Sequence, residues 1–271
     1  MSRLFVAWNV NGYSDTIHNH LIDYIADKDP DLIFLSETKK RAEDLTEKFE
    51  QLVNYNYIIN AHNPYNYHGV AMLIKKDLTF EEIEIKMDII TRKDTNSDEA
   101  AKGRIICIYL NNIGCVIGTY VPNSGSNEPQ KLHYRVSVWD PRLSEILNQL
   151  ADQAPTIWLG DINVALTDND VSNPKIMANY AGFTLAERAN LTNFLASKKW
   201  IDIWRENHPD VDFNYTWRGN PIKANTYRAG YGMRLDNIII SADLKEYVDK
   251  VYTEDLVTTS DHVPVCLRLF C

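Results

Sequence analysis

Short apolar runs rich in β-branched residues recur along the whole chain, and they constrain its fold more than any other feature. They fall at Leu4 to Ala7, Asp31 to Leu35, Val70 to Ile74, Ile105 to Leu110, Val116 to Tyr120, Thr156 to Leu159, Asn237 to Ile240 and Val263 to Leu269. Runs of this length and composition predict core strands. Helix-like stretches lie between them at Asp15 to Asp27, Arg41 to Phe49, Arg142 to Gln153 and Thr184 to Lys198. The last opens with Thr184 and Glu187 in capping-box spacing. No Pro/Gly/Ser linker divides the 271 residues, so one α/β domain over residues 1–271 is expected. The markedly polar stretch Thr91 to Lys102 reads as an insert between two strands.

Apolar residues make up 45% and charged residues 24%, the balance of ordinary globular proteins, which sets aside disordered, collagenous and membrane-embedded classes. The net charge of −9 means that a nucleic-acid partner has to be met by a local basic patch against a repulsive field. Cys107, Cys115, Cys266 and Cys271 form no CxxC pair, so neither a zinc module nor a disulfide framework is expected, and a reducing compartment is the simplest reading. Met1 to Val10 lacks the basic segment and cleavage site of a signal peptide, and no apolar stretch approaches the ~18 residues of a membrane span. A soluble intracellular protein of cytoplasm or nucleus, with no membrane partner, is expected.

The ends of the strands carry the chemistry. The first leads into Trp8-Asn9-Val10-Asn11-Gly12 and a later one into Gly160-Asp161-Ile162-Asn163, a weak internal echo. In extended chain, residues i and i+2 face the same way, so each segment projects a polar pair. Asn and Asp also favour turns, and either pair alone is read equally well as one. Two halves that deliver polar residues to one edge suit a sheet-on-sheet α/β sandwich.

More acids stand at such ends: Glu37 after Leu32 to Ser36, Asp236 before Asn237 to Ile240, and Asp261-His262 before the last run. Acids beside buried strands are costly unless paired or metal-bound. His262 alone is more simply a structural residue, but Asp161, Asp236 and Asp261 make a histidine–carboxylate pair the sharper reading. Oxygen donors of this kind suit Mg²⁺ or Mn²⁺ rather than zinc. Phosphodiester hydrolysis needs a positioned water, a base and charge around the developing phosphorane, and Glu37, Asp161, Asn163, Asp236 and His262 supply each part.

At these residues the sequence resembles the endonuclease/exonuclease/phosphatase superfamily, and within it the exonuclease III-type apurinic/apyrimidinic endonucleases. The resemblance runs from about Leu4 to Leu269. Its segments, in the family's order, include Leu35-Ser36-Glu37-Thr38-Lys39, Gly69-Val70-Ala71, Gly103-Arg104, Tyr120-Val121-Pro122-Asn123-Ser124-Gly125, Arg234-Leu235-Asp236 and Ser260-Asp261-His262, besides the two echoing ones. Asn173-Pro174-Lys175 and Ala181-Gly182-Phe183-Thr184 point to the abasic-site branch.

The resemblance implies a four-layered α/β sandwich, two packed mixed β-sheets flanked by helices. It implies a divalent-metal-dependent, monomeric DNA repair nuclease using Mg²⁺, with Mn²⁺ as substitute. Such an enzyme cuts duplex DNA 5′ to an abasic site, leaves a 3′-hydroxyl and can clear blocked 3′ ends or act as a 3′-to-5′ exonuclease. Glu37 would bind the ion with Asn11, and Asn9, Asp261, Asp161, Asn163 and His262 would lie on the metal side. Asp161 would activate water and Asn163 orient it. His262, held by Asp236, would stabilise the phosphate, an alternative role being the base. Tyr120 and Asn123 would touch the scissile phosphate. Arg104, Tyr67, Arg228, Trp217 and Met233 would bind substrate, with Lys39, Lys40, Arg218, Lys223, Tyr227 and Tyr231 nearby.

Three departures stand out. Asn11 stands where some relatives carry Asp, which makes the local charge less negative, though Asn remains a usable oxygen ligand. Ser126 replaces an Arg that some relatives insert into DNA, and Met233 replaces an aromatic wall of the abasic pocket; a thioether is apolar but flexible. Two other readings therefore stay open: a superfamily phosphoesterase with another substrate, such as a target-nicking endonuclease or small-substrate phosphatase, and a catalytically silent DNA-binding protein.

Overall fold

The computed structural model describes residues 2–62, 67–87, 102–197, 199–219 and 231–270. In chain order it runs β1 (Ser2–Asn9), α1 (Asp15–Lys28), β2 (Leu32–Ser36), α2 (Ala42–Phe49), β3 (Tyr55–Asn60), β4 (Val70–Lys75), β5 (Phe80–Ile83), β6 (Ile105–Leu110) and β7 (Gly114–Tyr120). Then follow α3 (Pro129–Tyr134), α4 (Asp140–Gln153), β8 (Thr156–Asp161), α5 (Pro174–Met177), α6 (Leu185–Ala196), β9 (Trp200–Asp202) and α7 (Ile203–Asn207). The last elements are β10 (Trp217–Arg218), β11 (Gly232–Met233), β12 (Asp236–Ser241), β13 (Val248–Thr253) and β14 (Val265–Phe270).

Two six-stranded mixed sheets result, ordered β13-β14-β1-β2-β4-β3 and β5-β6-β7-β8-β12-β9. Each has one parallel pair, β1 with β2 and β7 with β8, beside antiparallel neighbours. The strands are apolar throughout because both faces are covered. Phe5 and Ala7 of β1 meet Ile157 and Leu159 of β8 in the core between the sheets. Leu4, Val6 and Trp8 point the other way, onto Ile17 and Leu21 of α1 and Leu45 and Phe49 of α2. Trp158 and Ile239 pack outward against Leu147 of α4 and Phe194 of α6. The layers are thus helix, sheet, sheet, helix, the sandwich expected from the sequence.

The capping box forms as read: Thr184 Oγ1 accepts the Glu187 N–H, and Glu187 Oε2 accepts the Thr184 N–H at 3.2 Å. Sheet separation is set where Phe34 meets Gly118, at which an added Cβ would lie 2.2 Å from the ring. Gly118→Ala overpacks that contact and is expected to cost about 1–3 kcal/mol by thermal denaturation. Combining it with Phe34→Leu should recover part of the loss, and an additive double mutant would show that the contact does not limit the packing.

Candidate active site

Each loop of the site begins where a central strand ends. β1 stops at Asn9 and β8 at Asp161, and in both the last side chain accepts the backbone N–H two residues on. The Asn11 N–H donates to Asn9 Oδ1, and the Asn163 N–H to Asp161 Oδ1, both at 2.9 Å. Asn11 and Asn163 both sit in the left-handed region, at φ 45° and 49°, which Asn tolerates well. The sequence echo is one turn built twice, once on each sheet.

The two copies are joined directly. Asn9 Nδ2 donates to Glu37 Oε1 and to Asp161 Oδ2, each at 2.9 Å, so one amide holds carboxylates from both sheets. β12 starts at Asp236, opposite Asp161 in register, and Asp236 Oδ2 pairs with His262 Nδ1 at 2.7 Å. Trp8 Nε1 donates to the His262 carbonyl, and Ser260 Oγ to the Asn9 carbonyl, fixing the last loop on β1. Asn123 Nδ2 donates to Asn163 Oδ1 at 3.0 Å, and Asn163 Nδ2 to the Val121 carbonyl at 2.8 Å. Asn11, Glu37, Tyr120, Asn123, Asp161, Asn163, Asp261 and His262 line one cleft of about 320 Å³, which Tyr180, Trp217, Tyr231, Met233 and Leu235 also wall.

The charges are arranged unequally. Burial works against the charge of Glu37, but hydrogen bonds from Lys39 and Asn9 hold its carboxyl below the usual range. Burial and the facing Asp236 push Asp161 up to about 8. Burial would lower His262, yet the Asp236 charge and hydrogen bond lift it to about 10, so the ring is an imidazolium at neutral pH. Burial and the Glu37 and Asp161 charges drive the Tyr120 phenol well above its ordinary value, leaving it a neutral donor. His68, buried beside Arg104, is lowered to about 3.

Two groupings could hold a cation. Glu37 Oε2 and Asn11 Oδ1 already share one, the Lys39 ammonium, at 2.5 and 2.6 Å, and Asn11 Nδ2 donates to Asp261 Oδ1. Convergent oxygens of this kind fit a hard divalent ion. The second is Asp161, Asp236 and His262, whose ligand atoms lie within 4.8 Å of one another, and where Asp236 Oδ1 is buried without a partner. There His262 Nδ1 is spent on Asp236, whereas the Glu37 and Asn11 oxygens already converge on a cation, so the Glu37 side is the better cation position.

Asn9, Asn11, Glu37, Tyr120, Asn123, Asp161, Asn163, Asp236, Asp261 and His262 thus gather at one end of the sandwich. Trp217 and Met233 pair across β10 and β11 at the apolar end, where Trp217 Nε1 also donates to Asp261. Arg104 is half-buried behind Tyr120, donating to its carbonyl at 3.1 Å and lying 5.0 Å over its ring. Tyr67 is 66% exposed beside His68. Arg228, Lys223 and Tyr227, and all of the Thr91 to Lys102 insert but Lys102, lie outside the described residues. Two residues read as facing DNA are engaged internally: Lys39 as described, and Arg218 on Asp255 at 2.6 Å. Sequence reasoning missed Tyr180 in the cleft wall, since an isolated Tyr carries no positional signal, and gave no task to Leu235, which stands in the Arg234-Leu235-Asp236 segment and also walls the cleft.

A model of the endonuclease/exonuclease/phosphatase family matches residues 6–262, nearly the whole span over which these loops are strung. The chain belongs to that family. Among curated members, it is 30% identical over 261 residues to a DNA-(apurinic or apyrimidinic site) endonuclease of Dictyostelium discoideum, covering 96% of this chain and 68% of that protein. It is also 30% identical to an exodeoxyribonuclease of Bacillus subtilis, with 96% of both chains covered. Among solved family structures, an AP endonuclease from Leishmania major superposes with a TM-score of 0.84 at 24% identity, over 100% of this chain and 88% of that one. At that identity the likeness speaks for the fold.

Proposed function

We propose that this family member hydrolyses the phosphodiester 5′ to an abasic site in duplex DNA, and that the same centre removes blocked 3′ ends. The single observation that carries the reading is the joined double turn: Asn9 links Glu37 to Asp161 while Asp236 holds His262 across the same cleft. The relatives' names supply the substrate class, and the apolar recess of Trp217, Met233 and Leu235 beside the charged end suits a flipped, base-less sugar.

In this reading Glu37 and Asn11, with Asp261 beyond them, hold Mg²⁺, for which Mn²⁺ substitutes. The bound ion supplies positive charge to the phosphate oxygens. Asp161, fixed by the donors on Asn9 and Asn163, takes the proton of the attacking water, and Asn163 orients that water. The His262 imidazolium donates to a phosphate oxygen, which argues against its serving as the base. The Tyr120 hydroxyl and the Asn123 amide donate to the scissile phosphate, and Arg104 stiffens Tyr120 from behind. Met233 and Trp217 face the sugar, and Tyr67 contacts the flanking strand.

The test is a duplex carrying one tetrahydrofuran residue, compared with undamaged duplex and with inositol phosphates. Incision on the 5′ side of the lesion, abolished by EDTA and restored by Mg²⁺, is the expected result. Cleavage of undamaged duplex at the same rate, or activity that survives exhaustive chelation, would overturn the assignment.

A further inference from the structure

The geometry points to Arg135 as a positioning residue that locks the two catalytic loops together from beneath, an inference that rests on the function proposed above. Arg135 opens a single π turn, Arg135–Trp139, set between α3 and α4, in which the Asp140 N–H reaches back five residues to the Arg135 carbonyl. Wide turns of this kind are frequent at functional sites, and they shift the side chains that follow out of the α-helical register. Here the side chain swings inward and is only 3% exposed.

Its guanidinium ends on the backbone of both site loops. Nη1 donates to the Pro122 carbonyl at 2.9 Å, and Nη2 to the Ile162 carbonyl at 2.8 Å. Pro122 lies between Tyr120 and Asn123, and Ile162 lies between Asp161 and Asn163. Those carbonyls are stranded where β7 and β8 end, and a buried carbonyl left unpaired is costly. The Nε donates to Asp140 Oδ1 at 2.5 Å, and Asn190 Nδ2 steadies the other Asp140 oxygen at 3.2 Å. On the cleft side the same two loops are tied by Asn163 and Asn123. Arg135 is therefore the rear half of a two-sided clamp that sets the distance between the phosphate-facing donors and the water-facing carboxylate. Only a planar fork with several fixed donors can reach carbonyls on two loops and a carboxylate at once; a lysine ammonium cannot.

The test uses Arg135→Lys, which keeps the buried charge, with Asp140→Asn as the milder second variant. Steady-state cleavage of the tetrahydrofuran duplex is measured beside DNA affinity in EDTA, thermal melting, and amide hydrogen exchange of segments 121–125 and 161–165. Misplacing reacting groups by about 1 Å is worth about 100-fold in rate, so Arg135→Lys should lower kcat by about that factor. KM and DNA affinity should stay within about threefold, and exchange should quicken in both segments. Asp140→Asn should shift kcat and exchange the same way, by less, and it decides the matter if Arg135→Lys does not fold. Unchanged kcat and exchange in a folded variant, or a melting shift with neither, would overturn the clamp. A wild-type protein that fails to cut the duplex would instead overturn the proposed function, while exchange would still decide the clamp.

Discussion

Replacing Asp161 with Asn is expected to slow incision about 10³-fold while leaving affinity for DNA almost unchanged. Asp161 Oδ1 accepts the Asn163 N–H and Oδ2 accepts the Asn9 amide, so the carboxylate is fixed by donors on both sides. An Asn at that position can keep the first bond but places its own NH₂ against the NH₂ of Asn9. The replacement thus removes the base and loosens the link to Glu37 together, while the donors that face the phosphate, on Tyr120, Asn123 and His262, remain. Rapid-quench kinetics with a fluorescence anisotropy titration would check it, and near-normal turnover would show that another group takes the proton.

The same substitution carries a stability signature of opposite sign. The folded pKa of Asp161, about 8, stands above its ordinary value of 3.8, because burial and Asp236 disfavour the ionised form. The native state therefore holds its proton more tightly than the unfolded chain, and ionisation costs stability progressively as pH rises from about 4 to about 8. Asn carries no such penalty. In EDTA the stability of the variant relative to wild type should rise with pH from about 4 to about 8 and then level, on top of a pH-independent loss from the broken Asn9 contact, measurable by calorimetry at a series of pH values. A group retained at a cost to stability, and whose removal costs activity, behaves as a functional residue.

How much of this was legible in the sequence follows from burial. The strands read correctly, β1, β2, β4, β6, β7, β8, β12 and β14, are all interior to their sheets and apolar on both faces. Of the strands that carry no such run, β3, β5, β9 and β13 are the edges of the two large sheets, and β10 and β11 are a two-residue ribbon beside the site. Edge strands alternate or carry charge, as in Tyr55–Asn60 and Val248–Thr253, because one side meets solvent, so their apolar signal falls to that of a loop. The site was legible for a related reason: an acid or amide ending an apolar run is conspicuous, and Asn9, Glu37, Asp161 and Asp236 all stand at such ends. Arg135 was not. In the local pattern His133 to Asp140 it looks like a solvated residue of an amphipathic helix, and only the π turn, invisible in sequence, sends it inward. Arg234 was noticed as part of a motif but given no task, since its partners, Asp170 and Asp202, are far away along the chain.

Arg234→Met is expected to cost about 3–5 kcal/mol of folding stability, the scale for breaking a buried ion network by removing one partner. Arg234 is 1% exposed, and its donors are fully committed: Nε to Asp170 Oδ1 at 2.7 Å, Nη2 to Asp202 Oδ2 at 2.7 Å, and Nη1 to Asp202 Oδ1 and Asn237. Arg205 adds a second cation on Asp170 at 2.6 Å. Burial pushes the Asp170 carboxyl up, but the charges and hydrogen bonds of Arg234 and Arg205 outweigh it and hold it far below the usual range. A lowered carboxylate contributes stability that is present above its unfolded pKa and is lost as pH falls through its folded one. Wild type should therefore lose part of its stability below about pH 4, and Arg234→Met should already have lost that part at pH 7. Asp170 would then keep Arg205 while Asp202 is left buried without a side-chain cation, and that desolvation is not offset. The effect should extend to the site, because Arg234 sits between Met233, which walls the cleft, and Asp236, which holds His262. Adding Asp202→Leu to Arg234→Met removes the orphaned charge and should recover much of the loss, since apolar replacement of whole buried ion networks is far better tolerated than removal of one member. Urea unfolding of the single and double variants at pH 7 and pH 4 separates the two contributions. A single variant as stable as wild type would mean that water, rather than Arg234, satisfies Asp170 and Asp202.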